Sequence, residues 1–104
     1  FVLLVTEPTP FGLHDLMLTV EAVRQLEIPC GLVINRADIG NEEVYRYARR
    51  ESLPILMEIP FERRIAEIYS RGGLLVEHSE EWRIRFGGLF DAIKDRAALQ
   101  EVGR

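Results

Sequence analysis

The chain has 104 residues, 47% of them hydrophobic and 29% charged, enough for one compact domain with an apolar core of its own. A formal charge of −4 and a pI near 5.2 argue against nucleic acid or an anionic membrane surface as the main partner. One cysteine, Cys30, excludes an internal disulfide and cannot alone hold a metal ion or an iron–sulfur cluster, which fits a reducing, cytoplasmic setting.

Phe1 to Thr6 is an apolar run that is too short to span a bilayer and lacks the basic flank and cleavage site of a signal peptide. It predicts a core strand. A chain that opens inside a core strand, with neither an initiator Met nor a polar lead-in, is expected to be the C-terminal part of a longer protein, because an uncovered central strand is sticky. Glu7-Pro8-Thr9-Pro10-Phe11-Gly12 reads as a loop whose prolines and glycine oppose a regular helix. A helix is expected from there to about Glu27, with Leu13, Leu16, Met17, Val20, Val23 and Leu26 on one buried face.

Ile28-Pro29 ends that helix, and Cys30 to Asn35 predicts the second strand. Asp38 to Asn41 is a turn, with Asn41 as N-cap of a helix from Glu42 to about Glu51. That helix is mostly polar and is expected on the rim. Pro54 introduces a third strand, Ile55 to Ile59, which Pro60 closes. A helix from about Phe61 to Arg71 should stop at Gly72-Gly73, and Leu74 to Val76 reads as an extra edge strand or a buttress. The last helix, about 79–100, opens near Ser79 and carries Trp82, Phe86, Leu89, Phe90 and Ile93 on one face. Gly87-Gly88 in its middle predicts close packing or a kink. Alternating strands and helices give an α/β fold: a three-layer, doubly wound parallel sheet, partial, with about three core strands.

Two strand ends carry the functional signal. Val33-Ile34-Asn35-Arg36-Ala37-Asp38 and Glu58-Ile59-Pro60-Phe61 are each an apolar run that stops at a polar residue or a proline, the pattern of a buried parallel strand handing over to a loop. Ligands bind at such carboxyl ends, and an Asn there can pair with the donor–acceptor edge of a purine. This is the base-recognising half of a nucleotide-binding domain, against the plainer reading that Asn35 only turns the chain. Arg36 has two roles open to it, bracing the loop or stacking near a base. No glycine-rich run leading to Lys and Ser or Thr is present, and the one lysine, Lys94, follows no glycine loop, so the phosphate-binding half is missing. The chain alone is therefore expected to be inactive.

Four more positions have two readings each. Glu7 is a carboxylate placed to help hold water or Mg²⁺, or to brace its loop. His14 and Asp15 are expected at the start of the first helix, just after the loop that holds Pro8: either Asp15 is a first-turn carboxylate favoured by the helix dipole and His14 a surface residue, or they and Pro8 lie beside a γ-phosphate or at a dimer interface. Arg63, Arg64 and Arg71 form a solvated face, and Cys30 a small core hydrophobe.

Val5 to Leu16 (VTEPTPFGLHDL), Gly31 to Arg36, Pro54 to Phe61 and Ser70-Arg71-Gly72 together resemble the C-terminal half of the MinD/ParA-type deviant Walker P-loop ATPases, above all those with an inserted ferredoxin domain. The resemblance covers about Val2 to Val76. It implies a parent that binds ATP and Mg²⁺, often as a homodimer with nucleotide at the interface, and that couples hydrolysis to iron–sulfur or electron-transfer chemistry with a redox protein partner. Asn35 would then recognise adenine, and the loop from Ile59 through Pro60 to Phe61 would lie against the base. The P-loop, the switch carboxylates and the cluster cysteines would all precede Phe1. Cobyrinic-acid-type amide synthases are relatives within the same resemblance.

Two rivals stand beside it. Asn35-Arg36-Ala37-Asp38 is near the Asn-Lys-x-Asp pattern of guanine recognition, with Arg in place of Lys, which would make the ligand GTP. A non-enzymatic homodimer or interaction module would use the sheet edge and the aromatic last helix instead. A phosphoacceptor receiver domain shares the architecture but needs an acidic pair and a Lys at strand ends.

Overall fold

The computed structural model describes residues 1–102, with backbone only at 75 and 99–102. Three strands, β1 (Val2–Thr6), β2 (Cys30–Asn35) and β3 (Ile55–Ile59), form a parallel sheet in the order β1-β2-β3. Helix α1 (Pro10–Gln25) joins β1 to β2, and α2 (Glu43–Arg50) joins β2 to β3. After β3 come α3 (Arg63–Ser70), the short α4 (Leu75–His78) and the long α5 (Glu80–Val102). None of these helices is long and apolar enough to cross a membrane.

The sheet separates two apolar layers, as expected of a parallel sheet whose crossovers place helices on its faces. On one side Leu32 and Ile34 of β2 meet Leu16 and Val20 of α1 and Val44, Tyr47 and Ala48 of α2. On the other, Val33 and Met57 meet Ile65 of α3 and Trp82 and Leu89 of α5. Alternate residues of β2 thus serve opposite layers. Leu32 and Ile34 are wholly buried, each worth roughly 1.5–3 kcal/mol relative to exposure. Pairing between β2 and β3 shifts once: Leu32 aligns with Ile55 but Val33 with Met57, so Leu56 is an extra, bulged residue.

Several expectations need correction. The loop ends earlier than its prolines suggest, because α1 begins at Pro10. Pro is tolerated at the first helical position, where its missing N–H would have no partner in any case. Thr9 is the N-cap, and its Oγ1 accepts from Gly12 N–H at 3.0 Å. The inward face of α1 is Leu16, Val20 and Val23, whereas Met17 and Leu26 are exposed.

Helix α2 is no rim helix. Val44, Tyr47 and Ala48 recur at helical spacing and are buried in the first layer, while the arginines between them face water. The N-cap of α2 is Glu42, one residue beyond the expected Asn41, whose Oδ1 still accepts from Glu43 N–H at 3.0 Å. Gly72 takes φ +75° after α3, and Gly73 N–H returns to Ile68 carbonyl at 3.0 Å. The chain thus folds back locally into α4, and 74–76 satisfies its backbone without joining the sheet.

Helix α5 opens on Ser79, whose Oγ accepts from Trp82 N–H at 3.4 Å. Trp82 and Leu89 are buried and Phe86 and Ile93 pack against them, but Phe90 is 62% exposed, with the Lys94 ammonium 5.3 Å from its ring centre. Gly87 and Gly88 do not pack closely: a Cβ at either would meet nothing within 4 Å. They lie on the outward face.

Candidate nucleotide site

The carboxyl ends of all three strands meet at one edge of the sheet, and their loops are stitched to one another. Asn41 N–H donates to the Pro8 carbonyl at 3.0 Å, joining the segment behind β2 to that behind β1. Ala37 N–H donates to the Ile59 carbonyl at 3.0 Å, and Phe61 N–H to Asp38 Oδ1 at 2.6 Å. These two bonds join the segments behind β2 and β3.

Asn35 ends the central strand, half-buried. Its Oδ1 accepts from Arg36 N–H at 3.1 Å, and among the described residues no group accepts from its amide nitrogen. Arg36 itself has φ +54°, a left-handed conformation that costs a non-glycine residue roughly 1–2 kcal/mol. The turn aims its guanidinium over the Phe61 ring, 4.8 Å from the centroid. The contact ties the segment behind β2 to that behind β3, so of the two roles open to Arg36 the geometry displays the bracing one, through a cation over an aromatic ring.

Two cavities meet at Asn35. One, of about 450 Å³, lies between β1 and α1 and is lined by Thr6, Glu7, Thr9, Gly12 and Asp15 as well as Asn35. The other, of about 510 Å³, lies between the sheet and α3 and α5, with Arg36, Pro60, Phe61, Tyr69 and Phe86 among its walls. The first is mixed, with Leu4, Val5, Phe11 and Leu16 also among its walls, and the second largely apolar. Both sizes fall in the range of small-molecule sites. His14 is exposed and lines neither cavity, whereas Asp15 lies on the first. Asp15 sits in the second turn of α1, not the first, so it does not cap the helix dipole. Pro8 is buried behind the site and supplies the carbonyl that Asn41 uses.

A second hydrogen-bonded group supports the loop from below. Tyr45 of α2 donates to Glu58 Oε1 at 2.7 Å, and the Ala37 carbonyl lies 3.3 Å from the same hydroxyl. Burial, then the hydrogen bond and negative charge of Glu58, push the Tyr45 phenol up to about 12. Burial also raises the Cys30 thiol, against the opposing Arg24 charge, so Cys30 is poorly disposed to act as a thiolate. Sequence reading had no means of finding Tyr45, since its partners lie 8 and 13 residues away. Asp38 carried a signal, but as a reader of guanine and not as a partner of Phe61.

Among the described residues no group of three or more His, Cys, Asp or Glu side chains converges as metal ligands would.

The chain is similar to an uncharacterized protein of Methanocaldococcus jannaschii, 34% identical over 80 residues that make up 76% of this chain and 26% of that protein. The matched stretch thus spans about a quarter of the relative's length. No family model matches the chain, and no solved structure does.

Proposed function

We propose that this chain is the adenine-recognising C-terminal portion of a MinD-like ATP-binding and ATP-hydrolysing protein. The observation that carries the reading is the junction at Asn35, where a strand-ending carboxamide stands beside the Arg36–Phe61 stack and between the two cavities. The base would lie in the apolar cavity against Pro60 and Phe61, with the Asn35 amide nitrogen donating to its edge. The polar side chains of the mixed cavity, Thr6, Glu7, Thr9 and Asp15, would face the sugar and phosphates.

The remaining partners follow from the same reading. The P-loop would come from the rest of the protein and bind Mg·ATP, which supplies the phosphoryl group for hydrolysis, and the protein would work in the cytoplasm as a homodimer. Iron–sulfur or electron-transfer chemistry, with a redox protein as partner, belongs to the parent in this proposal. Adenine is favoured over guanine because one oxygen of Asp38, the acceptor that guanine would need, is already bonded to Phe61 N–H.

Calorimetry of ATP with the full-length protein tests this. Asn35→Ala should weaken ATP roughly tenfold or more, the value of a good side-chain-to-base pairing. An unchanged affinity would overturn the base-recognition role.

One observation favours a second reading, an interaction module. Val5, Phe11 and Leu18 leave apolar surface exposed beside the free edge of β1, Phe11 at 85%. Sedimentation with and without nucleotide separates the two, since a dimer indifferent to nucleotide belongs to the module.

A further inference from the structure

The Arg36–Phe61 stack is held by two side-chain oxygens from one short segment. Asn35 Oδ1 accepts from Arg36 N–H at 3.1 Å, and Asp38 Oδ1 accepts from Phe61 N–H at 2.6 Å. Neither ring nor guanidinium is fixed by burial, since Arg36 and Phe61 are both exposed. Their mutual placement therefore depends on where the two backbones are pinned.

We infer that Asp38 is a positioning residue for the base site, acting through the Phe61 backbone to hold the aromatic wall opposite Asn35; the inference rests on the nucleotide reading above. Pro60 has no N–H to give, so Phe61 N–H is the first donor available beyond the end of β3. A carboxylate accepting from it makes a charge-assisted bond, stronger than a neutral one. The neighbouring bond from Ala37 N–H to the Ile59 carbonyl adds a second point of attachment, and two points fix direction where one would leave a swivel. Tyr45 and Glu58 hold the Ala37 carbonyl side of the same segment. Asp38 thus sets the width of the gap between the Asn35 carboxamide and the Phe61 ring, and a base is held only if that gap suits it. The same bond turns a carboxylate that could have read guanine into a fixture of the wall.

The test compares Asp38→Ala and Asp38→Asn in the full-length protein, titrating ATP, GTP and inorganic tripolyphosphate. Asp38→Ala should weaken ATP about tenfold and leave tripolyphosphate unchanged, because the phosphates do not touch this wall. Asp38→Asn should restore ATP to within about threefold of wild type, since its carboxamide oxygen can accept the same N–H. Amide exchange at Phe61 in the ligand-free protein should quicken at least tenfold in Asp38→Ala. If Asp38→Ala misfolds, Asp38→Glu takes its place, with the oxygen displaced by one methylene and the same loss expected.

Wild-type affinity for ATP in Asp38→Ala would overturn the inference while leaving the nucleotide reading intact. So would an Asp38→Asn protein as weak as Asp38→Ala, whereas GTP binding in the wild type that Asp38→Asn abolishes would overturn the inference and the adenine reading together. A wild-type protein that binds tripolyphosphate but gains nothing from a base would overturn both the reading and the inference.

Discussion

The amide of Asn41 reaches the carbonyl of Pro8 at 3.0 Å, and this contact ties the loop behind β2 to the loop behind β1, which lines the first cavity. Gly40 makes it possible. With φ +115° it lies so close to the Pro8 carbonyl that a Cβ there would collide with backbone. Gly40→Ala is expected to cost about 1–3 kcal/mol, read from urea unfolding. Gly72, at φ +75° in open space, should cost about 1 kcal/mol on the same change, since only its backbone conformation is opposed. Equal costs would show that the Pro8 contact is loose.

The opposite sign is expected in α5. Gly87 and Gly88 sit mid-helix with open space where a Cβ would go, so Gly87→Ala and Gly88→Ala should each stabilise by roughly 1 kcal/mol. Thermal melts of the single variants would settle it. Destabilisation would mean that a partner packs on that face.

The burial of α2 is tested at Val44, which is wholly buried between the sheet and α1. Val44→Ala should lose on the order of 2 kcal/mol, while Arg46→Ala on the exposed face of the same helix should stay within about 0.5 kcal/mol. A rim helix would give two small values.

Tyr45 predicts a pH dependence. Its phenol is raised in the folded protein from 10.0 to about 12, so folding favours the protonated form. The contribution is fully present below the unfolded value near pH 10 and is lost as pH rises towards 12. Urea unfolding across that window should show stability falling, and Tyr45→Phe should remove that part of the slope. An ultraviolet titration of the folded protein should show a phenolate near pH 12 that Tyr45→Phe abolishes, while Tyr47, also raised by burial, still titrates.

Strands were the legible part of this chain: β2 buries both faces and reads as an unbroken apolar run, and β3 is apolar but for Glu58. Helix α2 was not legible as a core element. Two of its three buried side chains are Tyr47 and Ala48, set among arginines and glutamates, and only the spacing from Val44 reveals the face. The start of α1 was hidden by its prolines, which mark a helix interior as forbidden but a first turn as favoured. Phe90 was misplaced because the turn of α5 carries it away from Trp82, Phe86 and Leu89, a separation that an apolar count does not register. At the candidate site, Asn35, Pro60 and Phe61 were visible as strand endings. Asp38 with Phe61, and Tyr45 with Glu58, were not visible as pairs, because each forms only once β2 and β3 lie side by side.

The bulged residue Leu56 and the buried Gly31 behave as one unit. A Cβ on Gly31 would lie 2.8 Å from Leu56 Cδ1 and 3.1 Å from Phe1 Cζ, so the extra residue of β3 fills the room that glycine leaves in β2. Size at one position is therefore exchangeable for size at the other. Gly31→Ala should be harmful alone and milder in a Leu56→Ala background, giving a non-additive cycle. Deleting Leu56 would straighten the ladder and keep Met57 opposite Val33 and Ile59 opposite Asn35. Among related sequences, a larger residue at the first position should travel with a smaller one, or a gap, at the second.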